Sequence, residues 1–187
     1  MEKTFTLSSF QDLKSFIKQD YEVINGKWTC KGFLSSMLFE AGFKFVFWLR
    51  ITRYFWQKKG ILKVLFVPAR FILKHYSYKY SFDISYRAQI GPGLNIAHFG
   101  YIVVPSHAVI GENCALRPGV VIGKKLSHNT GGAIIGNNVS FGVGSKVIGE
   151  VNIGSNVIIG ANAVVTKDVP DNCIVAGIPA RVIGVRE

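Results

Sequence analysis

Acidic residues are scarce in this 187-residue chain: 11 Asp and Glu stand against 22 Lys and Arg, a formal net charge of +11 at pH 7. The deficit is uneven, because residues 1–82 carry 14 basic side chains against 5 acidic ones and residues 83–187 carry 8 against 6. Cysteine is scarce too, at three widely spaced positions, Cys30, Cys114 and Cys173. No CxxC pair or Cys/His spacing accompanies them, so neither a disulfide framework nor a zinc module is indicated and no metal is expected. No stretch reaches the roughly 18–20 uncharged apolar residues of a spanning helix. The N-terminal segment also lacks the apolar run and cleavage site of a secretory signal. These absences predict a cytoplasmic protein in a reducing compartment. No recognition motif accompanies the positive charge, so nucleic acid is not an expected partner. The 49% hydrophobic and 13% aromatic content suffices for a buried core.

A repeat dominates the second part of the chain. Large apolar residues recur every six positions at Ile84, Ile90 and Ile96, then at Val104, Ile110, Leu116 and Ile122. After a break the series resumes at Ile135, Phe141, Val147, Ile153, Ile159 and Val165. A small or β-branched residue often follows four places later, as at Ala88, Ala108, Val139, Ser145 and Ala163. A period of six fits neither a helix nor a hairpin meander. It fits a solenoid of three short flat sides per coil, each turning one aliphatic residue inward, with neighbouring coils burying a continuous column. Asn137, Asn138, Asn152, Asn156 and Asn162 are placed to supply the left-handed conformations of tight corners. Two interruptions break the period: a two-residue slip around Phe99–Val103 and an extrusion over residues 124–134. Insertions in such arrays project from one face, which is often the functional one.

Residues 1–81 lack this period and read as a helical, basic and aromatic segment. Asn25–Gly26 marks a turn and Gly60 a break, with Pro68 inside the following helix-like stretch. Two readings of the segment stand side by side. In one, the helices pack on the solenoid and on each other. In the other, Phe45, Phe47, Trp48, Tyr54, Phe55 and Trp56 lie on an anionic bilayer, with Arg50 and Arg53 toward the headgroups.

Four histidines are the candidates for proton transfer. His75 lies in a basic stretch and reads as solvated. His107 occupies a corner and reads as structural or surface, and His128 lies in the extrusion. His98 sits where the repeat slips. Cys114 falls at a small inward position and reads as a packed thiol rather than a nucleophile.

The stretch Asp83-Ile84-Ser85-Tyr86-Arg87-Ala88-Gln89-Ile90-Gly91-Pro92-Gly93, followed by Leu94-Asn95-Ile96-Ala97-His98, resembles the serine acetyltransferase family. In that family an aspartate stands the same distance before a catalytic histidine. The resemblance continues through Gly100–Val104, Ala108–Gly111 and Ile159–Val165. It closes at Ala176-Gly177-Ile178-Pro179-Ala180-Arg181-Val182-Ile183-Gly184, and so covers about residues 82–184. It implies a mostly β fold, a left-handed parallel β-helix over 82–187 behind the N-terminal α-helical segment, assembled as a homotrimer with active sites between subunits. It also implies an acetyl-CoA-dependent O-acetyltransferase with His98 as general base and Asp83 orienting the imidazole. That chemistry is sound, because a hydroxyl becomes a useful nucleophile as a neutral imidazole takes its proton and a carboxylate fixes the tautomer. For the donor, the resemblance points to Gly142, Val143, Gly160 and Ala161 along the pantetheine and to Lys167 and Arg181 for the phosphates.

Two departures concern the acceptor. Serine acetyltransferases place an aspartate directly before the catalytic histidine and an Arg-His pair in the extruded loop. Here Ala97 and Gly131-Gly132 stand at those positions. With Ala97, His128 and Asn129 as candidate acceptor-site residues, the pattern is similar to the surface-polysaccharide branch of the family. The expected acceptor is then a sugar hydroxyl of a capsular, exopolysaccharide or lipopolysaccharide unit, with serine as the alternative. The basic, aromatic N-terminal segment suits a lipid-linked carbohydrate at the inner face of the membrane. A metal-dependent carbonic anhydrase on the same solenoid would need a close histidine pair that His98, His107 and His128 do not provide.

Overall fold

In the computed structural model, which describes residues 5–124 and 131–186, the six-residue period becomes three stacked sheets. The first sheet holds β1 (Phe82–Ile84), β4 (Ile102–Val104), β7 (Val121–Gly123), β10 (Lys146–Ile148) and β13 (Val164–Val165). The second holds β2 (Gln89–Ile90), β5 (Val109–Ile110), β8 (Ile134–Ile135) and β11 (Asn152–Ile153). The third holds β3 (Asn95–Ile96), β6 (Ala115–Leu116), β9 (Ser140–Phe141), β12 (Ile158–Ile159), β14 (Cys173–Gly177) and β15 (Ala180–Val185). All pairings are parallel except β14 with β15. The fold is a parallel β-solenoid with N-terminal helices. Every one of the thirteen period-defining residues is buried in one continuous column. Burial at roughly 25 cal/mol per Å² of apolar surface is what drives coils with only two or three paired residues per side to stack.

The corners follow the asparagines, with some changes from expectation. Asn138, Asn156 and Asn162 take positive φ, as do Asn113 and Asn172. Asn137 and Asn152 do not. The Asn137 Oδ1 instead accepts the Glu112 N–H at 2.9 Å, and Asn152 belongs to β11. Along one corner the Asn138 amide donates to Asn156 and the Asn156 amide to Asn172, both at 3.0 Å, which ties successive coils together.

Four helices precede the solenoid: α1 (Phe10–Asn25), α2 (Cys30–Phe39), α3 (Ala41–Gln57) and α4 (Phe66–Tyr80), with a 3-10 helix over Gly60–Leu65. Helix α1 opens with a capping box between Ser9 and Asp12 and ends at Gly26, φ 74°. Pro68 sits in the first turn of α4, where no intrahelical N–H is required.

The lowest coil has no coil beneath it to take up its backbone groups, and α3 does so with two arginines. Arg50 donates to the Ile90 and Gly91 carbonyls, both at 2.6 Å. Its remaining N–H groups hold Asp20 of α1 at 2.8 and 3.0 Å, and Asp20 accepts the Leu94 N–H at 2.9 Å. Arg53 donates to the carbonyls of Tyr86, Arg87 and Ala88 and to that of Phe5. Burial, with the Arg50 charge second, lowers the Arg53 pKa to about 10.

These contacts correct the bilayer reading of α3. Arg50, Arg53, Phe45 and Tyr54 are buried, and Phe47, Trp48, Phe55 and Trp56 pack against the two apolar clusters. Gly42 of the same helix lies so close to β3 that a Cβ there would come within 1.8 Å of the Ile96 carbonyl oxygen. Among the described residues no single helix is long and apolar enough to cross a membrane. Only α2 and α3 together reach that length and apolarity, and they meet at 101°.

Candidate functional site

His98 lies in the turn from β3 to β4, the corner that joins the third sheet to the first. The two extra residues of the slip lengthen this turn. Gly100, at φ 143°, returns the chain by donating to the Tyr80 carbonyl at 3.2 Å. The imidazole is exposed and borders a cavity of about 630 Å³ shared with Phe39, Gly42, Lys44, Tyr80 and Ala97. The turns Gly142–Val143 and Gly160–Ala161 occupy the same corner two and three coils higher. Their backbones pack closely: a Cβ on Gly142 would lie 2.5 Å from the Ala161 nitrogen. Val143 and Ala161 are exposed. The candidate base and the four candidate pantetheine positions therefore share one edge of the prism.

Asp83 lies elsewhere. It is the outward residue of β1, between buried Phe82 and Ile84, and opens into a cavity of about 390 Å³ with Arg70, Lys74 and Arg87. Among the described residues neither the Asp83 nor the His98 side chain forms a hydrogen bond or ion pair, and they border different cavities. Lys167 is exposed at the next corner, between the first and second sheets, and Arg181 is exposed on β15.

That next corner also carries His107 and the extrusion. His128 and Asn129 lie outside the described residues. Gly131 donates to Glu150 Oε1 at 2.7 Å, and Gly132 packs on His107, where a Cβ would meet the His107 carbonyl oxygen at 2.3 Å and Cδ2 at 2.9 Å. Among the described residues the buried His107 Nε2 has no hydrogen-bond partner, and it borders a cavity of about 480 Å³ that it shares with Glu150. Desolvation, and then the Lys124 charge, push its pKa below the ordinary value. Read from sequence, His107 is a structural or surface residue at a corner. An unpartnered nitrogen at a cavity beside the extrusion makes it a candidate for ligand contact, and the only sequence signal was its neighbourhood to that insertion.

Cys114 is buried against the Gly136 carbonyl at 3.3 Å, and burial pushes its thiol up to about 11. It is a packed thiol. Among the described residues no three His, Cys, Asp or Glu side chains form a group able to hold a metal ion.

Comparison with known proteins adds three kinds of match. The family model for bacterial transferase hexapeptide (six repeats) matches residues 132–167. The chain is 42% identical over 101 residues to the serine acetyltransferase of Synechococcus elongatus, covering 51% of this chain and 40% of that protein. It is 33% identical over 129 residues to WcaB of Escherichia coli K12, an acetyltransferase assigned to colanic acid biosynthesis, covering 68% of this chain and 80% of that protein. The crystal structure of Brucella abortus serine acetyltransferase in complex with coenzyme A superposes with a TM-score of 0.80 at 25% identity, over 95% of this chain and 70% of that one. The chain spans 40–64% of the length of the serine acetyltransferases it matches in sequence.

Proposed function

Because the chain belongs to the serine acetyltransferase-like family of hexapeptide-repeat transferases, we propose that it transfers an acetyl group from acetyl-CoA to a hydroxyl, with His98 as general base. The observation that carries this reading is the shared corner of His98, Gly142–Val143 and Gly160–Ala161. A thioester lying along that edge would reach the imidazole. His98 takes the proton of the acceptor hydroxyl, the oxygen attacks the thioester carbonyl, and the C–S bond breaks. The proton passes to the leaving thiolate, giving an O-acetyl ester and free CoA. Lys167 and Arg181 would pair with CoA phosphates.

Completion of the site calls for a neighbouring copy. The base and the pantetheine positions lie on one edge, whereas His107, Lys167 and the extrusion lie on another. A homotrimer that sets unlike edges together unites them, and the Asp83–His98 pairing is proposed for that assembly.

The identity of the acceptor divides the observations. Serine is favoured by the comparisons, in which most relatives and solved neighbours are serine acetyltransferases. A sugar hydroxyl is favoured by the residues. A zwitterion needs a cation and a carboxylate for recognition, and Ala97 and Gly131-Gly132 stand where the family carries them. The 33% identity to WcaB over 80% of that protein points the same way. We therefore propose a carbohydrate acceptor, modified in the cytoplasm, and keep serine O-acetyltransferase as the second reading. Thiol release from acetyl-CoA by the full chain, with L-serine and with surface-polysaccharide repeat units side by side, separates them. Saturable turnover on L-serine alone overturns the carbohydrate reading.

A further inference from the structure

Residues 41–82 contain nine Lys and Arg and no Asp or Glu. Two of the nine, Arg50 and Arg53, are turned inward onto the lowest coil. Lys44, Lys58 and Lys63 are tied to the carbonyls of Leu38, Ser8 and Trp56. Lys59, Arg70, Lys74 and Lys79 remain outside, and none of them forms an ion pair among the described residues.

The same segment exposes its apolar side chains. Ile61 of the 3-10 helix is 86% exposed and Phe71 of α4 is 73% exposed, with Leu62, Val64, Leu65 and Val67 also open. The pattern on α4 is regular. Ala69 and Leu73 face inward and are buried, whereas Val67, Phe71, Lys74 and Tyr78 follow one another at helical spacing on the outer side. The Lys74 ammonium lies 4.4 Å from the Tyr78 ring centroid, so the cation sits within the apolar stripe. Ile61, Val64, Val67 and Phe71 stand clear of the cavities that hold Asp83, His98 and His107.

A face of exposed aliphatic and aromatic residues edged by cations is uncommon on a freely solvated surface. We infer that the outer face of the 3-10 helix and α4 docks on an anionic lipid bilayer, with Ile61, Val67 and Phe71 entering the headgroup boundary and Lys59, Arg70 and Lys74 meeting lipid phosphates. Charge selects this occupant. With no carboxylate in residues 41–82 and Asp83 alone beside Arg70 and Lys74, two copies would set mostly like charges together in a two-fold contact, whereas an anionic surface complements the face. The bilayer-facing element is then the pair following α3, not α3 itself. The inference rests on the proposed function only in placing a carbohydrate acceptor at a membrane.

Co-sedimentation of the full chain with phosphatidylcholine vesicles, with and without phosphatidylglycerol, tests it. Binding is expected only with phosphatidylglycerol and should fall as salt is raised. It should drop to the phosphatidylcholine level in Ile61→Ser/Phe71→Ser and weaken in Lys59→Gln/Lys74→Gln, while Lys14→Gln/Lys18→Gln on α1 binds as the parent does. Circular dichroism checks that each variant is folded. Absence of binding to phosphatidylglycerol vesicles, or binding unchanged in both face variants, overturns the inference. So does a smaller assembly of Ile61→Ser/Phe71→Ser in sedimentation velocity, which would assign the face to a second copy. Acetyl-CoA turnover on a soluble acceptor, unchanged in Ile61→Ser/Phe71→Ser, keeps a failed docking surface distinct from a failed enzyme reading.

Discussion

Arg50 grips both carboxylate oxygens of Asp20 while each side chain is only 1% exposed. The pair joins α1 to α3, and its spare hydrogen bonds join both to the floor of the solenoid. A buried pair adds little over a well-packed apolar contact, but breaking one side leaves an uncompensated charge. Asp20→Asn should cost about 3–5 kcal/mol in urea unfolding. A loss within 1 kcal/mol, read from the denaturation midpoint, would show that water or another group satisfies Arg50.

His98→Ala should lower kcat on the order of 10²–10⁴-fold, with the melting temperature unchanged, because the side chain is exposed. Asp83→Asn should lose a comparable factor if the carboxylate orients the imidazole in the assembly. Retention of full activity by Asp83→Asn would remove Asp83 from the mechanism and leave His98 in it.

Gly42→Ala would place a methyl group 1.8 Å from the Ile96 carbonyl oxygen, against backbone that has no room to yield. Separation of α3 from β3 should destabilise the protein by about 3 kcal/mol. It should also disturb the His98 cavity, which Gly42 borders. Thermal unfolding and kcat measured on one preparation report both effects.

The thiol of Cys114, pushed up to about 11 and fully enclosed, should resist iodoacetamide at pH 8, whereas exposed Cys30 should react readily. Peptide mapping by mass spectrometry distinguishes them. Rapid native alkylation of Cys114 would reopen a covalent route.

His107 has a folded-state pKa below its ordinary 6.5, so the unfolded chain binds the proton more readily than the folded one. The stability tied to its neutral form is therefore present above pH 6.5 and is lost as the pH falls through that value toward the depressed pKa. Melting temperatures between pH 5 and pH 8 should slope less in His107→Gln than in the parent chain.

The solenoid was legible in sequence because each coil repeats one local rule, an inward aliphatic residue followed by a tight corner. Corner chemistry was less so: Asn137 and Asn152 carry the right side chain, yet their places in the coil call for a cap and a strand. The roles of Arg50 and Arg53 were not readable, because the solenoid carbonyls they meet lie 33–41 residues away in sequence and become available only when the lowest coil closes. Beside Trp48 and Phe55 the same arginines looked like headgroup partners. The spacing of Asp83 and His98 is a feature of the chain, whereas the distance between them in space depends on the faces of the prism. The enclosure of the His107 Nε2 is a property of packing and leaves no trace in the sequence.

The antiparallel hairpin of β14 and β15 closes the upper end of the third sheet, and the arginine-bearing helix closes the lowest coil. A parallel stack left open at both ends is a template for indefinite polymerisation, since each rim matches the opposite rim of another molecule. Here one rim is taken up by guanidinium groups and part of the other by a strand running the wrong way. With the helix still holding the lower rim, loss of the hairpin would bare one rim alone, which can join two particles but cannot propagate a fibre.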